Sequence, residues 1–442
     1  MKRIVIVIIL GLVFLGSAIL LEAGIFPFKA YKKTLDNDFK VIVIPLPNPG
    51  LVAYYSIVRT GSRDEYEEGH TGFAHFFEHM MFRGTEKYPS TVYDSIVTEM
   101  GADSNAFTSN DLTAFHLVFA KEDLERVMEL ESDRFQNLAY KEEDFKTESG
   151  AVLGELLKAK TSPEFLLYET LQDTAFEAHT YKHTTIGFEA DVRAMPTMYE
   201  YSKNFYKRYY RPENVVLLVC GDVEPESVFQ LAEKYYGKWE KGYVNPQITP
   251  EPEQKAPKSK SITFKGKTLP TLAVGYKGLK FDPTSKEYVA VNMLQDIMFG
   301  KTSDLYTRLI LEQQKVESIE AYFERSRDPG LNSVIISIKK IEYAADVKKE
   351  IADSIKKYQT QPMDKNKLEQ LKSNLKYSFL LRLSSTYRVA ASLPRFIAVS
   401  GDIDAVDQFF ATLDTITPED IQQAAAKYFT DNRKTEILLL GE

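Results

Sequence analysis

Two rhythms of apolar and polar positions run along the chain, and the places where one gives way to the other mark its elements. Residues 39–45 (FKVIVIP) form a short apolar run ending on proline. Asn48-Pro49-Gly50 is a turn, and residues 51–59 (LVAYYSIVR) read as the returning strand. Apolar residues then recur at helical spacing over 71–82, and helices are expected again over 123–138, 141–160 and 199–208. Residues 215–220 (VVLLVC) are a fully apolar strand.

Residues 242–260, with four prolines, several charges and little apolar content, read as a linker. Beyond them the order repeats. Strands are expected at 261–264, 271–276 and 333–338, and helices at 286–298, 303–313, 346–358 and 365–383. The two halves close alike. Residues 199–222 run helix, Tyr209-Tyr210-Arg211-Pro212, strand, Gly221-Asp222. Residues 418–442 run helix, Tyr428-Phe429-Thr430-Asp431, strand, Gly441-Glu442. This pattern predicts an internal duplication and an α+β fold. Two homologous α/β domains in tandem, residues 30–241 and 261–442, would each hold a mainly antiparallel sheet packed with helices.

Composition adds limits. The 442 residues are 44% hydrophobic and 27% charged, which fits a packed core and excludes disordered, collagen-like and multi-span membrane chains. The net charge of −8 makes nucleic acid a poor partner, because phosphate binding draws on excess Lys and Arg. A single cysteine, Cys220, allows no internal disulfide and reads as a small buried hydrophobe. At the start, Lys2 and Arg3 precede an uncharged run over 4–21, so residues 1–23 are expected to be either a cleaved signal peptide or a membrane anchor. Either reading places the bulk of the chain outside the cytoplasm, periplasmic or facing outward from a membrane.

The chemistry concentrates in His75-Phe76-Phe77-Glu78-His79. On a helix, positions i and i+4 share a face, so His75 and His79 can offer two imidazoles to one metal. Glu78, at i+3, points to the same side and can serve as general base, the inverted form of the H-E-x-x-H zinc motif. A catalytic zinc takes three protein ligands and leaves one position open. Glu148 and Glu155 lie two turns apart on a later helix and share a face. By spacing alone they are equally well solvated surface glutamates. His70, His116, His179 and His183 read as ordinary surface or core residues.

The stretch Gly72 to Thr85 (GFAHFFEHMMFRGT) closely resembles the signature of the pitrilysin/insulinase family of zinc peptidases, which includes the mitochondrial processing peptidase. Gly61-Ser62-Arg63-Asp64-Glu65, residues 105–113 (NAFTSNDLT) and residues 209–222 are similar to further family stretches, and the likeness runs over residues 30–442. The resemblance implies Glu155, 76 residues after His79, as third zinc ligand, and Glu148 as the glutamate that steadies a histidine or the water. It implies that Asn105 and Ala106 lie on a strand that pairs with the substrate backbone. It implies a zinc-dependent endopeptidase acting on extended peptides or unfolded segments, although an N₂O ligand set also accepts manganese or cobalt.

The second half has no such motif; its counterpart stretch, residues 293–300 (MLQDIMFG), has no histidine. Family members carry an Arg and a Tyr in a partner half, and the corresponding places here hold Leu311 and Ser318. The resemblance therefore implies a heterodimer with a zinc-less subunit supplying that pair, with a homodimer as second choice. The alternative function is a non-catalytic assembly or peptide-binding subunit of a two-chain complex.

Overall fold

The apolar runs become strands because both of their faces are covered. A computed structural model describes residues 24–442, so the expected signal or anchor at 1–23 lies outside the described residues. Among the described residues no helix is long and apolar enough to cross a membrane.

The first sheet comprises β1 (Tyr31–Thr34), β2 (Lys40–Pro45), β3 (Leu51–Val58), β4 (Asp103–Thr108), β5 (Thr113–Ala120) and β6 (Val215–Gly221), in the order β1-β2-β6-β3-β5-β4. The second comprises β7 (Lys258–Phe264), β8 (Thr271–Lys277), β9 (Val316–Phe323), β10 (Leu331–Ile338) and β11 (Lys434–Gly441), in the order β7-β11-β8-β10-β9. From β2 onward the two orders are the same: first strand, last strand, second, fourth, third. In each sheet the only parallel pair among the described residues joins the first of these strands to the last, β2 with β6 and β7 with β11. Identical connectivity in both halves is the structural form of the duplication, and the fold is α+β with two like domains in tandem.

Helices α1 (Phe73–Met80), α2 (Ser90–Glu99), α3 (Leu124–Asn137), α4 (Glu142–Ala159) and α5 (Pro163–Ala175) follow in the first half. The halves exchange cover. Helix α5 leaves its own sheet and packs Leu167 and Leu171 on Ala273, Ile437 and Leu439 of the second sheet. In return, the second-half helices Thr386–Ala391 and Pro394–Ser400 pack on the first sheet. Val389, Ala390, Leu393 and Ile397 join Ala53, Tyr55, Ile57, Leu218 and Cys220 in one core.

Several details depart from the sequence expectation. Strand β7 begins at Lys258, inside the stretch 242–260 expected as a linker, and the Glu251 carboxylate in that stretch accepts the backbone N–H groups of Glu177, Ala178 and His179 while pairing with Lys277. The helix expected over 286–298 is α-helical only to Leu294 and continues as a π-helical segment, Gln295–Phe299. A second π segment, Thr307–Glu312, replaces most of the helix expected over 303–313.

Candidate metal centre

Helix α1 is built to hold one stripe still and leave the other free. Phe73, Phe76, Phe77 and Met80 are fully buried. Phe77 stacks on Phe205 and Tyr206, and Phe76 meets Phe145 of α4 edge-on. The polar positions His75, Glu78 and His79 fall on the opposite, half-buried stripe. Gly72 precedes the helix with φ of 93°, and a Cβ there would lie 2.5 Å from the Ile186 carbonyl oxygen, so only glycine fits. The buried Glu65 carboxylate accepts the Gly72 N–H at 2.7 Å and the Ala74 N–H at 2.6 Å, which satisfies the first turn.

His75, His79 and Glu155 come together: their ligand atoms all lie within 4.8 Å of one another. Glu155 Oε2 is 3.7 Å from His75 Nε2 and 3.5 Å from His79 Nε2. Neither distance is a normal hydrogen bond, and His75 Nδ1 is buried without a partner among the described residues. Burial, the largest influence, pushes the His75 imidazole down to about 4 against the opposing pull of Glu155. Neutral imidazole is the form that binds a metal. Two neutral-capable nitrogens and one carboxylate converging with no hydrogen bond among them fit a divalent ion of the zinc type.

Glu148 Oε2 lies 3.3 Å from His79 Nδ1, and its other oxygen pairs with Arg83. Glu78 stands beside the cluster with Oε2 accepting the Thr108 hydroxyl at 2.6 Å. Burial raises the Glu78 carboxyl above its ordinary value, with the Thr108 hydrogen bond opposing. Asn105 and Ala106 lie on β4, which among the described residues pairs only with β5 and forms the edge of its sheet next to α1. The Ala106 N–H donates to Asn105 Oδ1 at 2.8 Å.

Thr108 and Arg83 were given no role by the sequence, although Arg83 sits four residues after His79 and Thr108 ends the strand that carries Asn105. The other histidines lie elsewhere. His116 stacks on Tyr55, and His70 touches the Glu68 carbonyl. His183 is buried, and burial pushes its imidazole down to about 4. His179, also buried, reaches Asp328 at 3.1 Å. Cys220 is buried in β6. Leu311 is largely exposed and Ser318 lies on β9, the edge of the second sheet.

Comparison with known proteins places the whole chain beside a family of peptidases. A family model described as Insulinase (Peptidase family M16) matches residues 51–188, and one described as Peptidase M16 inactive domain matches residues 198–375. The zinc protease PqqE of Helicobacter pylori is 29% identical over 413 residues, covering 92% of this chain and 91% of that protein. A probable mitochondrial-processing peptidase subunit beta of Arabidopsis thaliana is 24% identical, over 85% of this chain and 71% of its own length. The crystal structure of a protease from Helicobacter pylori superposes with a TM-score of 0.87 at 27% identity, covering 93% of this chain and all of that one. With both halves matched in order and the paired-domain architecture reproduced, the chain belongs to the insulinase family of peptidases, M16.

Proposed function

We propose that the chain is a zinc-dependent endopeptidase that cleaves extended peptides or unfolded segments. The convergence of His75, His79 and Glu155 with Glu78 beside them carries this reading, and the zinc-protease name of the Helicobacter pylori relative supports it. His75, His79 and Glu155 would hold the metal. Zinc there supplies a Lewis acid that polarises a scissile carbonyl and acidifies a water.

The remaining work belongs to the chain's own groups. Glu78 takes the proton of the attacking water and returns it to the leaving amine; burial raises its carboxyl above the ordinary value, which makes it a stronger base than a solvated glutamate. Thr108 occupies Oε2, which leaves Oε1 for that proton. Glu148 accepts from His79 Nδ1 and so would leave His79 Nε2 to hold the metal, while Arg83 pairs with Glu148 and keeps it in place. The free edge of β4 offers its backbone to an extended peptide, with Asn105 and Ala106 at the pairing position. A peptide pairing at Ala106 displaces the Asn105 side chain from that N–H.

The chain works, on this reading, beside a zinc-less partner chain in a heterodimer; the subunit name of the Arabidopsis relative and the residues Leu311 and Ser318 favour this over a homodimer. The charged start and apolar run at 1–23 favour export. A non-catalytic subunit is the second reading. It draws on the inactive-domain description, which covers mainly the half without the motif.

The test is cleavage of an unstructured fluorogenic peptide by residues 24–442, with and without a chelator, beside Glu78→Gln. Turnover is expected to vanish with the chelator and in the variant, while the variant keeps its zinc. A wild-type chain that takes up no zinc, or a variant that cleaves at the wild-type rate, overturns the reading. A zinc-loaded, folded chain without turnover calls for the partner, found by pull-down. Turnover by this chain alone removes the heterodimer and favours the homodimer.

A further inference from the structure

The loop between β9 and β10 reaches out of the second half into the first. Its Arg327 guanidinium bonds Asp64 through Nη2 and Asp111 Oδ1 through Nε at 3.2 Å. Both carboxylates are buried. A planar guanidinium is suited to bridging two carboxylates at fixed angles.

What those carboxylates are joined to is informative. Asp64 is followed directly by Glu65, whose carboxylate clamps the Gly72 and Ala74 N–H groups at the start of α1. Three residues before Asp111 in the β4–β5 hairpin is Thr108, whose hydroxyl holds Glu78 Oε2. One side chain thus grips both segments that position the candidate centre. The first leads to the helix that carries His75 and His79, and the second leads to the hydroxyl on the proton carrier.

We propose that Arg327, supplied by the half that carries no motif, is a positioning residue for the metal centre. It acts through Asp64–Glu65 on α1 and through Asp111–Thr108 on Glu78. Domain two would then set the geometry of domain one's chemistry from within the same chain. The inference rests on the peptidase reading above.

The test uses Arg327→Met and Arg327→Lys in the full chain, read by zinc Kd of the folded protein and by kcat and KM in whichever form of the enzyme is active. Arg327→Met is expected to weaken zinc binding about tenfold, the scale seen when groups behind metal ligands are removed. Its kcat should fall with KM little changed. Arg327→Lys should recover only part, because an ammonium cannot span both carboxylates. In Arg327→Ala, added methylguanidinium should restore part of the kcat.

A triple variant, Arg327→Met with Asp64→Asn and Asp111→Asn, removes the buried charge imbalance and guards against simple misfolding. If it regains wild-type zinc Kd and kcat, Arg327 is only a counter-ion and the proposal falls. Wild-type zinc Kd and kcat in Arg327→Met overturn it too. A wild-type chain that neither binds zinc nor cleaves defeats the peptidase reading instead. Zinc Kd is read on the chain alone, so a missing partner does not obscure the outcome.

Discussion

At the scale of single residues, the centre depends on neighbours that hold its polar groups, which range from the exposed Glu155 to the buried Glu148. Glu148 is the clearest case: one oxygen faces His79 and the other pairs with Arg83. Removing Arg83 leaves a largely buried carboxylate with one partner fewer and free to turn away from the ring. Arg83→Met and Glu148→Gln should each weaken zinc binding by about 10- to 100-fold, measured by competition with a chromogenic chelator, while the folded state survives. Equal zinc affinity in Arg83→Met would show that Glu148 needs no help. The sequence made part of this legible. His75, Glu78 and His79 follow from helical geometry, because three and four residues carry a side chain back to the same face. Glu155 does not: it follows 76 residues later, and spacing within α4 cannot say which helix α4 packs against, so only family resemblance singled it out. The roles of Arg83, Thr108 and Arg327 depend on tertiary contacts with no fixed spacing.

At the scale of elements, the apolar strands β2, β3 and β6 and the helices α1, α3 and α4 were readable, whereas β5, α2 and α5 were not assigned from the pattern. Strand β9 (VESIEAYF) carries Glu317 and Glu320 three residues apart at an exposed sheet edge, which breaks both the apolar run and the two-residue alternation. The π segments at Gln295–Phe299 and Thr307–Glu312 read as α-helix, because one extra residue per turn hardly disturbs an apolar stripe over five or six positions. The exchange of covering helices was equally hidden, since amphipathicity shows that a helix has an apolar face and not which sheet will receive it. It carries a prediction. A fragment of residues 24–241 contains His75, Glu78, His79, Glu148 and Glu155, yet it loses the helices that cover Ala53, Tyr55, Ile57, Leu218 and Cys220. Exposing that face should leave the fragment aggregated or molten. Co-expression with residues 242–442 should restore a soluble complex, read by size-exclusion chromatography and near-ultraviolet circular dichroism. A monodisperse, zinc-binding fragment would contradict the shared core.

At the scale of the whole molecule, the two halves are joined by buried ion pairs as well as by apolar surface. Asp328, next to Arg327 in the same loop, accepts from Arg63 Nε at 2.5 Å and faces His179 Nε2 at 3.1 Å. Burial alone would raise its carboxyl. The hydrogen bonds from His179 and Arg63 outweigh burial and hold it far below the usual carboxylate range. A carboxyl whose folded pKa is depressed binds fewer protons folded than unfolded between the two values, so stability rises with pH across that window. The unfolded value is about 3.9. Its contribution is therefore complete above about pH 4 and is lost as the pH falls toward the folded value. Asp328→Asn should cost about 1–2 kcal/mol near neutral pH, the worth of charge-assisted hydrogen bonds discounted for partial exposure. The difference between variant and wild type should shrink as the pH falls below about 4, because the unfolded wild-type chain then takes up a proton on Asp328 that the folded chain still excludes. Urea unfolding followed at a series of pH values measures both. A difference that stays constant down the acid series would mean that the joint does not draw on the Asp328 charge, and the apolar exchange between the halves would then carry it alone.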